Sequence, residues 1–177
     1  MFSLLLIFLS GSAIADPIQE FDFSSENIEY QTDGQLPQSH DVNTIIDSAG
    51  GFVAEILKDL RIENVDECTA FPSLNIKYLT WTELNKRRTD GEFGEAYAAF
   101  GNIRAMYLFD SEKSGSVIFI SNSLKAHRQA DITLSHEIAH YWWTRLCLGS
   151  QVKSMSAEEF AVEAGNMMAK QIALQDQ

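Results

Sequence analysis

The sequence predicts an α+β fold in which a small, mainly antiparallel sheet packs against helices. Two observations predict this class. A helical spacing of apolar residues follows residue 41 and two more helical patterns close the chain, whereas the alternating and β-rich segments lie between them. The chain has 177 residues, which suits a single domain with a buried core.

Residues 1–15 have the order of a signal peptide. An apolar run from Phe2 to Leu9 is followed by small residues that end at Ala15. Because the run is too short to span a bilayer, we expect cleavage before Asp16 and a secreted or periplasmic protein with no membrane span after cleavage. Residues 16–40 are polar and acidic without a sustained period, and are predicted as a loosely ordered lead-in to a single domain over residues 41–177.

The next elements are predicted from caps and periodicity. Asp41 can cap a helix whose apolar residues continue to Leu60, and the pair Gly50-Gly51 could kink or split it. Residues 74–81 alternate between apolar and polar side chains, which predicts a strand with one buried face. Residues 102–110 and 116–122 are rich in strand formers and are joined by Ser-Glu-Lys-Ser-Gly, which predicts a β-hairpin.

Two helices are predicted in the C-terminal part of the chain. Asp131 can cap a helix that continues to about Leu148 and is ended by Gly149. Ser156 can cap a last helix that reaches about Leu174.

The first of these helices contains the sequence HEIAH, which begins at His136. Residues four apart on a helix share one face, so His136 and His140 can offer two imidazole nitrogens to one cation. Glu137 is rotated by about 100° around the helix and can reach a water held there. The pattern predicts one Zn²⁺ per chain, with Glu137 as the general base of a hydrolytic reaction. The alternative is that core hydrogen bonds or solvent satisfy both histidines.

A zinc site of this kind needs a third protein ligand, and the last helix offers Glu158, Glu159 and Glu163. Glu159 is favoured because Glu163 lies one turn further on the same face, where it could orient a ligand histidine. Glu163 as the ligand is the alternative, with Glu159 then in a capping box with Ser156. Glu158 is the third candidate, and it has no acidic partner one turn on.

The segment TLSHEIAHYW, with an acidic pair about twenty residues downstream, resembles the active-site helix and ligand layout of gluzincin-type zinc metallopeptidases, which belong to the zincins. The resemblance covers Ile132 to Glu163, and small uncharacterised secreted bacterial zincin-like proteins are similar in format. It implies a zincin-like fold, with His136, His140 and Glu159 as zinc ligands, Glu137 as the base and Glu163 as the acid that hydrogen-bonds a ligand histidine. The family usually has aspartate where this chain has Glu163.

The resemblance also implies an activity, which is hydrolysis of peptide bonds in a peptide or protein substrate. In zincins an edge strand beside the active-site helix pairs with extended substrate, and the segment expected here is Val117 to Ser121, with an ordinary core strand as the alternative. Two other functions remain open. One is a non-catalytic zincin-fold binding or inhibitory module, and the other is a zinc amidohydrolase that acts on a non-peptide, cell-wall amide.

Charge and cysteine content restrict the partners and the compartment. The formal net charge is −12, so the phosphate backbone of a nucleic acid would be repelled, and we expect no nucleic acid partner. The chain contains two cysteines, Cys68 and Cys147. In an exported protein they are predicted to form a disulfide, and the alternative is two free buried thiols.

Overall fold

The computed structural model describes residues 16–18, 21–37, 40–65, 73–99, 101–110, 115–124 and 128–177. The helices in these ranges are α1 (Val42–Asp59), α2 (Trp81–Thr89), α3 (Glu95–Ala98), α4 (Gln129–Arg145), α5 (Leu148–Gln151) and α6 (Ala157–Gln175). The strands are β1 (Asp16–Pro17), β2 (Tyr30–Asp33), β3 (Asn64–Val65), β4 (Leu74–Leu79), β5 (Ala105–Asp110) and β6 (Gly115–Ser121).

The larger sheet has four strands in the order β2-β4-β6-β5. Strand β4 is parallel to both of its neighbours, and only β5 is antiparallel, to β6. The mixed α and β composition is confirmed, but the prediction of a mainly antiparallel sheet is wrong. Parallel neighbours require long connections, and α1 separates β2 from β4 while α2, α3 and β5 separate β4 from β6. Such pairs leave no local turn signal in the sequence.

The predicted hairpin is confirmed. Strands β5 and β6 pair antiparallel, from Ala105 opposite Ile120 to Asp110 opposite Gly115. The hairpin places β5 at the edge of the sheet and β6 in its interior. The residues between the strands, 111–114, lie outside the described ranges.

The predicted lead-in contributes to the domain. Strand β2 pairs with β4, and the side chains of Phe23 and Ile28 are buried in the same core as the helices. Residues 21–37 are therefore part of the folded unit, although their composition is polar. The sequence predicted a loose segment because the few apolar residues that anchor it follow no helical or strand period.

Two helix starts are confirmed and one differs. Asp41 caps α1 by accepting a hydrogen bond from the backbone N–H of Thr44 at 3.3 Å, and α1 continues unbroken through both glycines. Ser156 caps α6. Helix α4, in contrast, begins at Gln129, before the predicted cap Asp131.

Asp131 is buried in a polar network that joins three parts of the chain. Its Oδ1 lies 2.7 Å from Nδ1 of His40, and Nε2 of His40 lies 2.7 Å from the hydroxyl oxygen of Tyr78. Nε of Arg128 donates to Oδ2 of Asp131 at 2.8 Å. Burial alone would raise the pKa of Asp131, but these hydrogen bonds hold it below its usual value. The network fixes the start of α4 against β4.

Helix α4 lies at the centre of the domain, in contact with α1, α6 and strands β5 and β6. Its side chains Leu134, Ile138 and Trp142 are fully buried. Enclosure on several sides limits the solvent-facing part of α4 to a narrow strip. Among the described residues, no helix combines the length and apolar character needed to cross a membrane.

We predict opposite effects of alanine at the two adjacent glycines of α1. A Cβ on Gly50 would lie 2.0 Å from the backbone oxygen of Phe23, whereas a Cβ on Gly51 would have nothing within 4 Å. Gly50→Ala should lower the free energy of unfolding by about 2 kcal/mol or more through overpacking. Gly51→Ala should raise it by about 0.5–1 kcal/mol, because alanine favours the helix. Urea unfolding of both variants measures this, and an equal effect at the two positions would contradict the close packing of residues 21–28 on α1.

Candidate metal centre

The two histidines of the HEIAH motif point at a common position beside α4. Nε2 of His136 and Nε2 of His140 are 3.2 Å apart, and their rings meet nearly edge to face. Both side chains are about one-fifth exposed, at 22% and 18%. The predicted pairing of His136 and His140 on one helix face is confirmed.

Glu158 supplies a carboxylate to the same position. Its Oε1 lies 3.6 Å from Nε2 of His136, and its Oε2 lies 3.3 Å from Nε2 of His140. Glu158 stands in the first turn of α6, which packs along α4. One ligand atom from each of the three residues falls within 4.8 Å of the others, so the group could hold a metal ion.

The structure favours Glu158 over the predicted third ligand, Glu159. The carboxylate of Glu159 accepts hydrogen bonds from the backbone N–H and the hydroxyl of Ser156, each at 2.8 Å, while Ser156 Oγ accepts from the backbone N–H of Glu159 at 3.2 Å. This capping box lowers the pKa of Glu159, chiefly through the backbone hydrogen bond. The capping box thus holds the Glu159 carboxylate away from the histidines, which Glu158 approaches instead. The Ser-x-x-Glu spacing was the sequence signal for the capping role of Glu159.

Glu163 does not lie at the site either. It lines a separate groove between α1 and α6, together with Phe52 and Met167. Glu158, Glu159 and Glu163 therefore point in three directions from the same helix. The i, i+4 pairing of Glu159 with Glu163, on which the ligand prediction depended, has no role in the arrangement of the histidines.

Burial keeps both histidines neutral near pH 7. It lowers the pKa of His136, and together with the charge of His136 it lowers the pKa of His140 to about 4, although the Glu158 carboxylate opposes both shifts. The ring of His136 also hydrogen-bonds to the backbone of Ala161 on α6. A neutral imidazole that donates one ring N–H directs the lone pair of its other nitrogen at a metal.

The separations of the three donors fit a zinc ion. Bonds of about 2.0–2.1 Å in tetrahedral geometry would place ligand atoms about 3.3 Å from one another. The observed pairs lie at 3.2, 3.3 and 3.6 Å. Two imidazole nitrogens and a carboxylate oxygen facing one another would repel unless a proton or a cation lay between them. Two nitrogens plus one oxygen is also a donor set of catalytic zinc sites.

Glu137 is buried next to this cluster, with 7% of its surface exposed. Burial raises its pKa to about 8, and the charge of Glu158 adds to the shift. A hydrogen bond with the backbone of Tyr107 on β5 acts in the opposite direction. Glu137 therefore contacts the edge strand, as does His140, whose ring stacks on that of Tyr107 at 6.3 Å. His136 and Glu137 line the same cleft.

The strand beside the site is β5, and the expectation that Val117 to Ser121 lines the cleft is wrong. That segment belongs to β6, which is bonded to a strand on each side and is mostly buried. The sequence alone did not show which strand of the hairpin is at the edge. The cleft instead contacts residues 102–105, where β5 begins.

Cys68 lies outside the described residues. Cys147 lies two residues after the end of α4 and has a positive φ of 47°. The disulfide between Cys68 and Cys147 stays a prediction.

Comparison of the chain with protein-family models, with curated proteins and with solved structures finds no match. The evidence for a metal centre is therefore the donor set and its geometry. The metal-site residues that the structure brings together are His136, His140 and Glu158.

We predict that Glu158, and neither Glu159 nor Glu163, controls metal affinity. Glu158→Gln should weaken zinc binding at least about 100-fold, since losing a ligand has a larger effect than losing a group that hydrogen-bonds a ligand, which costs ~10–100-fold. Glu159→Gln and Glu163→Gln make the same chemical change in the same helix and should keep the wild-type Kd within about twofold, because neither side chain faces the histidines. Competition titration against a zinc chelator gives the Kd values. Weakening by Glu159→Gln but not by Glu158→Gln would contradict the assignment.

Proposed function

We propose that this protein is a zinc-dependent hydrolase that cleaves peptide bonds. The observation that carries the proposal is the approach of the Glu158 carboxylate to both imidazoles, at 3.6 and 3.3 Å, beside the buried Glu137. His136, His140 and Glu158 would hold the metal. When bound, Zn²⁺ supplies a Lewis acid that polarises a carbonyl and lowers the pKa of water.

Glu137 performs the proton transfers in this proposal. In the metal-loaded protein the charge of the cation would favour the ionised form of Glu137 against the effect of burial. This carboxylate takes a proton from the attacking water and delivers it to the nitrogen of the leaving amine as the peptide bond breaks. The hydrogen bond with the Tyr107 backbone holds the carboxylate in place, and burial excludes bulk water that would compete for the proton. A binding module that only gripped its partner would have no chemical need for a buried acid at this position, where burial is costly.

An extended peptide is the substrate that best suits the strand beside the site. Strand β5 bonds to β6 on one side, and no strand of the described residues pairs with its other side. A free edge offers backbone N–H and C=O groups in register, which bind extended peptides with little dependence on their sequence. The same strand holds Glu137, so a peptide paired with β5 would run past the proton carrier.

A zincin-like fold and an exported location complete the proposal. Three features are compatible with the gluzincin resemblance of Ile132 to Glu163. They are the helix that contains HEIAH, a proposed ligand from the following helix, and an antiparallel strand at the sheet edge. Export follows from the signal-like residues 1–15, and the net charge of −12 makes nucleic acid an unsuitable partner.

We predict that Glu137→Gln separates metal binding from turnover. The variant should bind zinc as the wild type does, because Glu137 is not a ligand, while kcat/KM on an unfolded protein substrate falls at least about 100-fold with the loss of the general base. His140→Ala should lose both zinc and activity, and Glu163→Gln should keep both. Zinc content by mass spectrometry and peptide release by chromatography give the two readouts.

Full turnover by the zinc-loaded Glu137→Gln variant would overturn the assigned role. If the wild type binds zinc but releases no peptide from any unfolded protein, the peptidase proposal fails, and a binding module or a hydrolase of non-peptide amides takes its place.

A further inference from the structure

A cleft of about 460 Å³ opens beside the metal centre. Its walls come from α4, through Ile132 and His136, from α6, through Val162 and Gly165, and from the segment that leads into β5, through Arg104. Because His136 and Glu137 both line it, anything bound there would lie next to the reacting groups. The space, charge and polarity of its lining side chains therefore indicate which substrates the site would prefer.

Gly165 leaves space in this cleft. It is a buried residue in the interior of α6, and a Cβ built on it would lie 3.7 Å from Cβ of His136 and 3.7 Å from the backbone oxygen of Ile132. Those are ordinary contact distances, so the packing of α6 on α4 would accept alanine. Glycine within a helix costs about 1 kcal/mol relative to alanine. Glycine at position 165 therefore lowers helix stability without being needed to avoid a clash, whereas Gly50 avoids one. Its effect is to leave room at the floor of the cleft.

Arg104 brings positive charge to the same cleft. Its backbone oxygen accepts a hydrogen bond from Ser121 N–H at 2.9 Å, which fixes its position at the start of the hairpin. Its side chain is exposed, and within the described part of the chain no carboxylate pairs with its guanidinium. No other Lys or Arg lines the cleft among the described residues, and its remaining polar side chains are those of Asn102, Thr133, His136, Glu137 and Asn166.

We propose that this cleft is the specificity pocket of the site and accepts an acidic substrate side chain, with Gly165 making room for its stem and Arg104 pairing with its carboxylate. The inference rests on the proposed function, because it names the substrate class of the same site. Ile132 and Val162 provide apolar surface for the methylene groups of the stem. A basic side chain would be repelled by Arg104. A neutral side chain would pack but would lose the ion pair, which is worth about 1 kcal/mol at an exposed site, or about fivefold in affinity.

The test uses peptides that cannot be cut during the measurement. Blocked peptides of alanine and glycine that differ only in a central Glu, Gln, Leu or Lys are titrated into zinc-loaded Glu137→Gln protein, and Kd is measured by calorimetry. The Glu peptide should bind about fivefold more tightly than the Gln peptide, which has the same shape without the charge. With wild-type protein, mass spectrometry should show cleavage at one fixed distance from the Glu residue.

Two variants with matched controls assign the preference to its residues. Arg104→Gln should remove the preference for the Glu peptide over the Gln peptide. Arg104→Glu should make the Lys peptide bind more tightly than the Glu peptide. Lys170→Gln removes a charge elsewhere on the surface and should leave the ratio of the Glu and Gln Kd values unchanged. Gly165→Ala should stabilise the fold as Gly51→Ala does, yet should weaken binding of the Glu peptide relative to a peptide that has only glycine at the centre. Gly51→Ala should not change that ratio.

The outcomes separate the inference from the proposed function. Zinc binding and turnover without a Glu-over-Gln preference would overturn the inference alone, as would a preference that survives Arg104→Gln. A preference for the Glu peptide without turnover by the wild type would overturn the peptidase proposal and keep the pocket. Failure of every peptide to bind would overturn the pocket.

Discussion

The close contact between α4 and α6 is the constraint on which the site depends. Two small residues of α6, Ala161 and Ala164, are buried at this level of the helix and allow it to approach α4. Ser135 Oγ donates to the backbone oxygen of Ala164 at 3.4 Å, and the ring of His136 hydrogen-bonds to the Ala161 backbone. The two helices are thereby joined by packing and by polar contacts at the position of the first histidine. A small shift between them would separate Glu158 from both imidazoles.

The opposite side of α4 is positioned by the sheet. Glu137 contacts the backbone of Tyr107 in β5, so the edge strand, and not α6, holds the group that would carry the proton. His136 thus contacts α6 and Glu137 contacts β5, whereas His140 contacts both, with its ring stacked on that of Tyr107 at 6.3 Å and its Nε2 3.3 Å from Oε2 of Glu158. Burial gives the histidines lowered pKa values and Glu137 a raised one. A divalent cation among these groups would offset much of the cost of burying them, because it supplies the opposite charge that a buried carboxylate lacks.

The sequence predicted the features that depend on local chemistry. The caps at Asp41 and Ser156, the hairpin, and the pairing of His136 with His140 follow from side chains and spacings within a few residues, and the structure contains each of them. The parallel pairing of β4 and the place of β5 at the edge depend on contacts between distant segments, and so the sheet was predicted wrongly. The assignment of the third ligand depends both on local spacing and on contacts between distant segments. Local spacing predicted the capping box of Glu159, but only the packing of α6 on α4 shows that the adjacent Glu158 faces the histidines.

The central claim is that His136, His140 and Glu158 hold one metal ion between two helices. A crystal of the zinc-loaded protein, with diffraction recorded on both sides of the zinc absorption edge, tests it most directly. The account predicts one anomalous peak per chain, within about 2.0–2.2 Å of Nε2 of both histidines and of a carboxylate oxygen of Glu158. A peak bound by other residues, or no peak between α4 and α6, would contradict it.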